Sequence, residues 1–476
     1  MVEFIKIQSH KNKFILSLFS AIFYMFGSSI VVTIGNFCVY FVSYIHYKDN
    51  WVNMQYGNIM APIILLLLSI FSPFSGLIEK KIGPKLTLLI SSIIVEICFL
   101  FYYLQRNLWI FYAISIFIGF GNGISAGVPI KNVCKYYPKQ KGKITSLILF
   151  MTGLSSSLYS FIGEKIINPN KEPIINKKTN PFYPEKVAER SNYYFIFALI
   201  VMPITTLISL ITFYEFKPNK INDDKNEIII KKINNNENIT NTKEIIITFR
   251  FWRNMIIVSL MPFWIYFLSS TYRAYSTMIG NDNNQDFISY LPTIFVAISS
   301  ITGLFWGFSF DKLGFQIIIK IMSTISIISS IYFAIFINNF TLYVIGLLIC
   351  ASVSRVGMMS IINPHIMQVF EFRNYLIIGG FARLFNQLSC FIAALTSVLL
   401  SLKFKNANDL QLPYRIIAII GIGLSFFGLI LSFYENDQKF KFINDDNSQR
   451  DTLGVNNREN ENEYDNEIND YNKNRN

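Results

Sequence analysis

The chain has 476 residues, of which 52% are hydrophobic and only 15% are charged, and its mean hydropathy is +0.38. A soluble domain carries about 25% charged residues, so this composition excludes an ordinary soluble protein. The net charge of +12 is concentrated in short loops, where it indicates membrane topology rather than nucleic-acid binding.

Apolar segments of about 20 residues recur along the whole chain, and each can cross a hydrocarbon core of roughly 30 Å. We predict an all-α polytopic membrane protein with twelve transmembrane helices, numbered span 1 to span 12, in two six-helix halves. The predicted ranges are 15–42, 56–78, 86–105, 108–134, 143–166, 192–214, 252–279, 287–309, 315–337, 341–364, 375–401 and 413–434.

Two polar segments divide the chain into its parts. The first half is residues 1–214 and the second half is residues 251–434. The linker 215–250 and the tail 435–476 are rich in Asn, Lys, Asp and Glu and hold too little apolar surface for a core. We therefore predict that both are largely disordered segments on the cytosolic side.

The loops after spans 2, 4, 8 and 10 are basic. Placing the amino terminus inside puts Lys80, Lys135, Lys141 and Lys312 in the cytosol, whereas the segment 280–286 on the opposite face has no Lys or Arg. The positive-inside rule then predicts that both termini are cytosolic. We expect the plasma membrane, with an internal membrane as the alternative.

An eight-residue motif follows span 2 and recurs after span 8, 231 positions later (307 minus 76). The two copies are Gly76–Gly83, with the sequence GLIEKKIG, and Gly307–Gly314, with the sequence GFSFDKLG. Each copy has Gly at both ends and acidic and basic residues between them. The repetition indicates an internally duplicated architecture.

The acidic residue differs between the copies. In the second copy Asp311 is followed by Lys312, whereas in the first copy Glu79 stands one place early and Lys80 precedes Lys81. We predict that both copies form tight turns, and that Asp311 is the stronger charge latch.

Six plus six spans, the polar linker and the repeated motif resemble the major facilitator superfamily. Gly307, Asp311, Lys312 and Gly314 match its cytosolic loop motif, and Gly76, Lys81 and Gly83 match in the first copy. The resemblance implies a secondary transporter that works by alternating access, with the motif loops holding one of its states.

The region 119–153 resembles one particular branch of this superfamily. Its loop is similar to that between spans 4 and 5 in the branch of oxalate:formate antiporters and monocarboxylate transporters, through Tyr136, Tyr137, Pro138 and Lys141-Gly142. This similarity implies that the substrate is a small organic anion. Within span 4, Gly119, Gly123 and Gly127 recur at steps of four and predict close helix packing.

Span 11 contains the first candidate for anion binding. Arg383 lies near mid-depth, and Asn386 and Gln387 share its helical face at i+3 and i+4. Arginine binds a carboxylate through two parallel N–H bonds. A basic residue in span 11 is also typical of the oxalate:formate carriers that the loop resembles. The alternative is a structural arginine bonded to helix carbonyls.

Four further residues are predicted to face the substrate. Arg355 in span 10 is expected to meet Arg383 across the cavity, with a carbonyl or tyrosine partner as the alternative. Arg273, toward the outer end of span 7, is expected either to steer anions inward or to snorkel at the interface. Asn36 and Tyr40 lie on a polar face of span 1 that is predicted to line the cavity.

No residue pattern indicates an enzyme or a cofactor site. The five Cys and three His form no metal-ligand spacing, and the phosphate-loop motif is absent. Glu96 in span 3 is interpreted as a structural group, with proton coupling as the alternative. We therefore predict a carrier of a monocarboxylate or dicarboxylate in the lipid bilayer, with a possible coupling proton. The alternatives are a major facilitator carrier of amino acids, vitamins or another nutrient, and a non-transporting receptor.

Overall fold

The computed structural model describes residues 2–49, 52, 55–104, 107–172, 175, 182–216, 242–269, 275, 285–403 and 407–434. The predictions for the tail and for linker residues 217–241 lie outside these ranges. The described helices as far as Leu431 form one compact unit.

Helices account for most of the described residues. In the first half they are Val2–Ser28, Ile30–Lys48, Gln55–Phe71, Ser75–Ile82, Pro84–Leu104, Leu108–Ser125, Val128–Cys134, Lys141–Ile167 and Glu185–Thr212, with 3₁₀ turns at Ser72–Phe74 and Pro138–Gln140. In the second half they are Thr242–Ile247, Phe249–Leu260, Gln285–Phe336, Phe340–Ala351, Arg355–Val369, Glu371–Lys403 and Ala407–Phe433. One isolated antiparallel bridge joins Ile175 to Phe182.

Among the described residues, 11 helical segments are long and apolar enough to cross a membrane. One of them, Thr293–Phe336, has 44 residues. Its length of about 66 Å at 1.5 Å per residue is twice the hydrocarbon thickness. Gly314 interrupts this segment with φ 77° and ψ 171°, so it comprises spans 8 and 9. The twelve predicted spans are therefore accounted for.

Span 6 has an apolar face that is open to its surroundings. Ile200, Ile204, Leu207 and Ile211 recur at helical spacing, and each is more than half exposed. Large aliphatic side chains are left exposed in this way where lipid is the solvent. Span 6 consequently lies at the periphery of its half.

Two spans contain non-helical backbone. In span 4 it lies at Ala126 and Gly127, and in span 10 at Ser354. The turns at Ser29 in span 1 and at Met261 in span 7 keep helical φ and ψ. Non-helical backbone at membrane depth is tolerated only where protein or a watery cavity satisfies its polar groups. Spans 4 and 10 therefore lie toward the interior, where a substrate site is expected.

Small residues allow close approach at two of the helix pairs that join the halves. Where span 5 meets span 8, a Cβ on Gly153 would overlap Ser300, and a Cβ on Gly307 would overlap Ser146. Where span 2 meets span 11, a Cβ on Gly76 would lie 2.7 Å from Ile377 Cγ1. Larger residues at these glycines would force the two halves apart.

Candidate functional site

The loops after spans 2, 4, 8 and 10 meet at one end of the helical bundle, which we call the basic end. Contacts between charged side chains and helix ends connect the four loops there. This is the end that the distribution of Lys and Arg predicts to be cytosolic.

The second motif copy binds across the two halves. Asp311 Oδ1 accepts a hydrogen bond from Gly142 N at 2.9 Å, and Oδ2 accepts one from Lys143 N at 2.8 Å. Both N–H groups lie in the first turn of the span 5 helix, which begins at Lys141. The carboxylate therefore satisfies unpaired helix donors and interacts favourably with the helix dipole.

Lys141 makes a complementary contact in the opposite direction. Its Nζ donates to Met367 O at 3.3 Å, near the carboxyl end of the second span 10 helix. The same ammonium lies 4.5 Å from the ring centre of Phe372. A cation at a helix carboxyl end is stabilised by the dipole. Lys141 and Asp311 together join the halves through two helix ends.

The first motif copy binds within its own half. Glu79 forms an ion pair with Lys131 of span 4, with Nζ 2.9 Å from Oε2 and 3.0 Å from Oε1. Both side chains are largely buried, at 12% and 8% exposure. Burial lowers the pKa of the neighbouring Lys135, and the charge of Lys131 lowers it further.

The backbone of the two copies is nevertheless alike. Gly83 has φ 83°, and Gly314 has φ 77°, so both occupy the region that favours glycine. Lys81 and Lys312 are exposed at corresponding positions. The copies thus share a turn and differ in the partner of the acidic residue.

Arg383 also crosses between the halves. Its Nη1 donates to Ser72 Oγ at 2.7 Å and to Ala126 O at 2.9 Å, and its Nη2 donates to Tyr375 OH at 3.2 Å. The side chain is 9% exposed. These partners are a hydroxyl, a carbonyl and a phenol. They fit the alternative in which Arg383 is a structural arginine bonded to protein groups.

Asn386 and Gln387 are buried beside span 7. Asn386 Nδ2 donates to Val258 O at 3.2 Å, and its Oδ1 accepts from Tyr266 OH at 2.8 Å. Pro262 has no N–H to bond the carbonyl four residues before it, so Asn386 satisfies a group that this proline leaves free. Gln387 is 1% exposed.

The remaining predicted residues are located less completely. Arg355 is the first residue of the second span 10 helix, with Ser354 as its N-cap. The side chains of Arg355 and Asn36, and all of Arg273, lie outside the described residues. Tyr40 is buried, and its OH donates to Glu164 Oε1 at 2.8 Å.

Three contributors were not predicted from the sequence as functional residues. Glu164, in the outer part of span 5, holds Tyr40. Ser72 receives the Arg383 guanidinium, and Gly127, predicted only to pack, lies against it. The sequence signal for Gly127 was present, since Pro129 follows it and a Gly-x-Pro sequence inside an apolar segment indicates an interruption.

Two six-helix halves, non-helical backbone within spans 4 and 10, and charged contacts between the halves are features that secondary transporters share. The Major Facilitator Superfamily profile matches residues 16–394, so the chain belongs to that superfamily. The protein is accordingly a multi-pass integral membrane transporter of a small molecule, and not an enzyme.

A solved structure has the same fold. It is the MFS proton:xylose symporter XylE bound to 6-bromo-6-deoxy-D-glucose, and the TM-score is 0.66. The alignment covers 88% of this chain and 94% of that one, at 12% sequence identity. An identity this low supports the fold alone. No curated protein sequence matches the chain.

Proposed function

We propose that this protein carries a small organic anion, a monocarboxylate or a dicarboxylate, across the membrane by alternating access. The observation that supports this most is the position of Arg355 directly after the interruption in span 10. A cationic residue and a helix amino terminus coincide there, inside the membrane. Both favour a carboxylate, and half-helix amino termini serve this purpose in other transporters.

The contacts at the basic end support a rocking mechanism. Asp311, Lys141 and Arg383 each bind the opposite half, so all three contacts must break before that end opens. Each is a charge-assisted contact with a helix end or with an irregular backbone segment. Such contacts hold one state without fixing it permanently.

Arg383 is the second proposed anion contact. In the present conformation its guanidinium is bound to Ser72, Ala126 and Tyr375, so it reaches a substrate only after leaving them. Asn386, Gln387, Asn36, Tyr40 and Arg273 are proposed to complete the substrate path, as the sequence predicts.

Uptake of labelled lactate, pyruvate, oxalate and formate into proteoliposomes, under several pH gradients, tests the proposal. At least one anion should accumulate, and the dependence on the gradient reports whether a proton is coupled. Absence of uptake for all four would contradict the carboxylate assignment.

Arg355→Ala should raise the KM for the transported anion by about tenfold or more, since a charge-assisted hydrogen bond to substrate is lost. Arg355→Lys keeps the charge and should lose less. Arg415→Ala is the matched control, because Arg415 lies on span 12 and has no proposed role in binding. An unchanged KM in Arg355→Ala would remove this residue from the site.

A neutral polar substrate is the second candidate. It is favoured by the uncharged partners of Arg383 and by the buried amides of Asn386 and Gln387, none of which requires an anion. The structurally similar XylE is a xylose symporter, which is compatible with this alternative. Labelled pentoses, hexoses, amino acids and vitamins belong in the same uptake panel, and a non-transporting receptor would move none of them.

We also propose that the protein resides in the plasma membrane with both termini in the cytosol. Epitope tags at either end of the intact chain should be reached by antibody only after the cell is permeabilised.

A further inference from the structure

The interruption of span 4 binds an arginine from the opposite half. We call this binding site, formed by the Ala126 carbonyl and Gly127, the seat. The helix Leu108–Ser125 ends before Ala126, and Gly127 takes φ 85° before the helix resumes at Val128. Pro129 follows at once and supplies no N–H. The carbonyl of Ala126 points out of the helix and accepts from Ser75 Oγ at 3.3 Å and from Arg383 Nη1.

Only glycine leaves room for this arrangement. A Cβ on Gly127 would overlap Arg383 Nη2 and would lie 3.1 Å from Cζ and 3.3 Å from Nη1. Gly127 therefore lies directly against the guanidinium of Arg383, and an added Cβ would meet three of its atoms. Any side chain at position 127 would displace the guanidinium from Ala126.

The contact between span 5 and span 8 is made by a different kind of charged group. At the contact of span 5 with span 8, the second half supplies an acid, Asp311, to a helix amino terminus. At the contact of span 2 with span 11, Lys80 occupies the corresponding position, and Glu79 is bound to Lys131 of its own half. Among the described residues, Arg383 makes a charged contact between the halves at this pair.

We propose that Arg383 is the latch that closes the basic end at the contact of span 2 with span 11, and that Gly127 is its seat. The latch has inverted polarity, because the second half supplies a cation to a carbonyl of the first. In the closed state Arg383 positions spans 4 and 11 relative to each other, and it reaches the proposed anion only after this contact breaks. This inference rests on the transporter class and does not depend on the substrate.

Alkylation of Cys134 provides the test. Cys134 is fully buried at the basic end of span 4, with Sγ 3.7 Å from Thr145 Oγ1. The full-length protein is purified with Cys38, Cys98, Cys350 and Cys390 replaced by Ala, and the rate of maleimide labelling is measured without substrate. We expect opening of the basic end to expose Cys134 and to raise this rate.

Arg383→Ala and Gly127→Ala should each raise the labelling rate about tenfold or more, which corresponds to the loss of a hydrogen bond to a charged group. Gly423→Ala is the matched control for the added methyl group. Gly423 lies on span 12, and an added Cβ there meets nothing within 4 Å. Its labelling rate should equal that of the parent protein.

Ser72→Ala and Tyr375→Phe remove single hydroxyl partners without altering the backbone, and each should raise the rate by roughly two- to tenfold. If Gly127→Ala does not fold, these two variants still test whether Arg383 acts as a latch. A second reporter, Cys38 as the only cysteine, lies in the outer part of span 1 and should show no increase with Arg383→Ala.

If Arg383→Ala and both hydroxyl variants are labelled at the same rate as the parent protein, the proposal that Arg383 is a latch is wrong. A folded Gly127→Ala protein that labels at the parental rate would overturn the seat. An equal rise at Cys38 would show general loosening and would also overturn the inference. Because labelling needs no substrate, its failure is distinct from a failure to transport carboxylates.

Discussion

Two of the contacts between the halves use opposite charges, one where span 8 meets span 5 and the other where span 11 meets spans 2 and 4. Span 8 presents Asp311 to the amino terminus of span 5, with both carboxylate oxygens bound to backbone N–H groups. Span 11 presents Arg383 to a carbonyl of span 4 and a hydroxyl of span 2. One side uses an anion at helix donors, and the other uses a cation at acceptors.

The difference shows that the repeated turn and the latch are separable. Gly83 and Gly314 give the two copies the same backbone conformation, yet only the second copy places an acid across the interface. In the first copy the displaced Glu79 is used to neutralise the largely buried Lys131. The two copies share their backbone conformation, whereas different residues supply the charge that connects the halves on the two sides.

The largest effect is expected from Asp311→Asn. The change removes the carboxylate charge, and one of the two backbone hydrogen bonds at the helix amino terminus is lost because an amide nitrogen cannot accept. The cost is about 2 kcal/mol, or roughly 30-fold in the balance between closed and open states. Maximal transport rate and Cys134 labelling measure this balance. Unchanged values in both assays would show that Asp311 does not hold the closed state.

Lys80→Asp should have a smaller effect of the opposite sign. Lys80 is exposed and occupies the position that corresponds to Asp311, so an acid there is expected to reach the amino terminus of the span 11 helix. Cys134 labelling should fall a few-fold, by roughly 0.5–1 kcal/mol of added closure. In an Arg383→Ala background the same change should restore part of the closure. No change in either background would contradict the proposed correspondence.

Glu79→Gln should have the smallest effect on transport. The ion pair of Glu79 with Lys131 lies within one half, so its loss leaves the contact between the halves in place. Stability of the first half should fall by between about 1 kcal/mol, as for an exposed pair, and about 3 kcal/mol, as for a buried one. A thermal shift measures this loss. A transport defect equal to that of Asp311→Asn would show that the displaced acid still serves as a latch.

The sequence located the arginine of span 11 but did not determine its partners. Position in an apolar segment marked Arg383 as costly and therefore paired. Its pairing with Ser72 and Ala126 joins residues that are 311 and 257 positions away, and no local pattern specifies such contacts. Asn386 is similar, because its role depends on the carbonyl of Val258 in span 7, which lies 128 positions earlier.

The sequence by itself determined the features that depend on local physics. Segment length and apolarity established twelve spans, because a hydrocarbon core of fixed thickness requires helices of fixed length. Glycine spacing established the two tight turns, because only glycine adopts their φ without strain. The displacement of Glu79 by one residue was sufficient to predict unequal motif copies.

Only the tertiary structure decided which charges meet. An acid or a base at a helix end has several partners within reach, and packing of the two halves selects one of them. That selection assigned Asp311 to span 5, Glu79 to Lys131, and Arg383 to the seat at Gly127. The physical reason is that electrostatic and hydrogen-bond partners depend on distances of a few ångströms between remote segments.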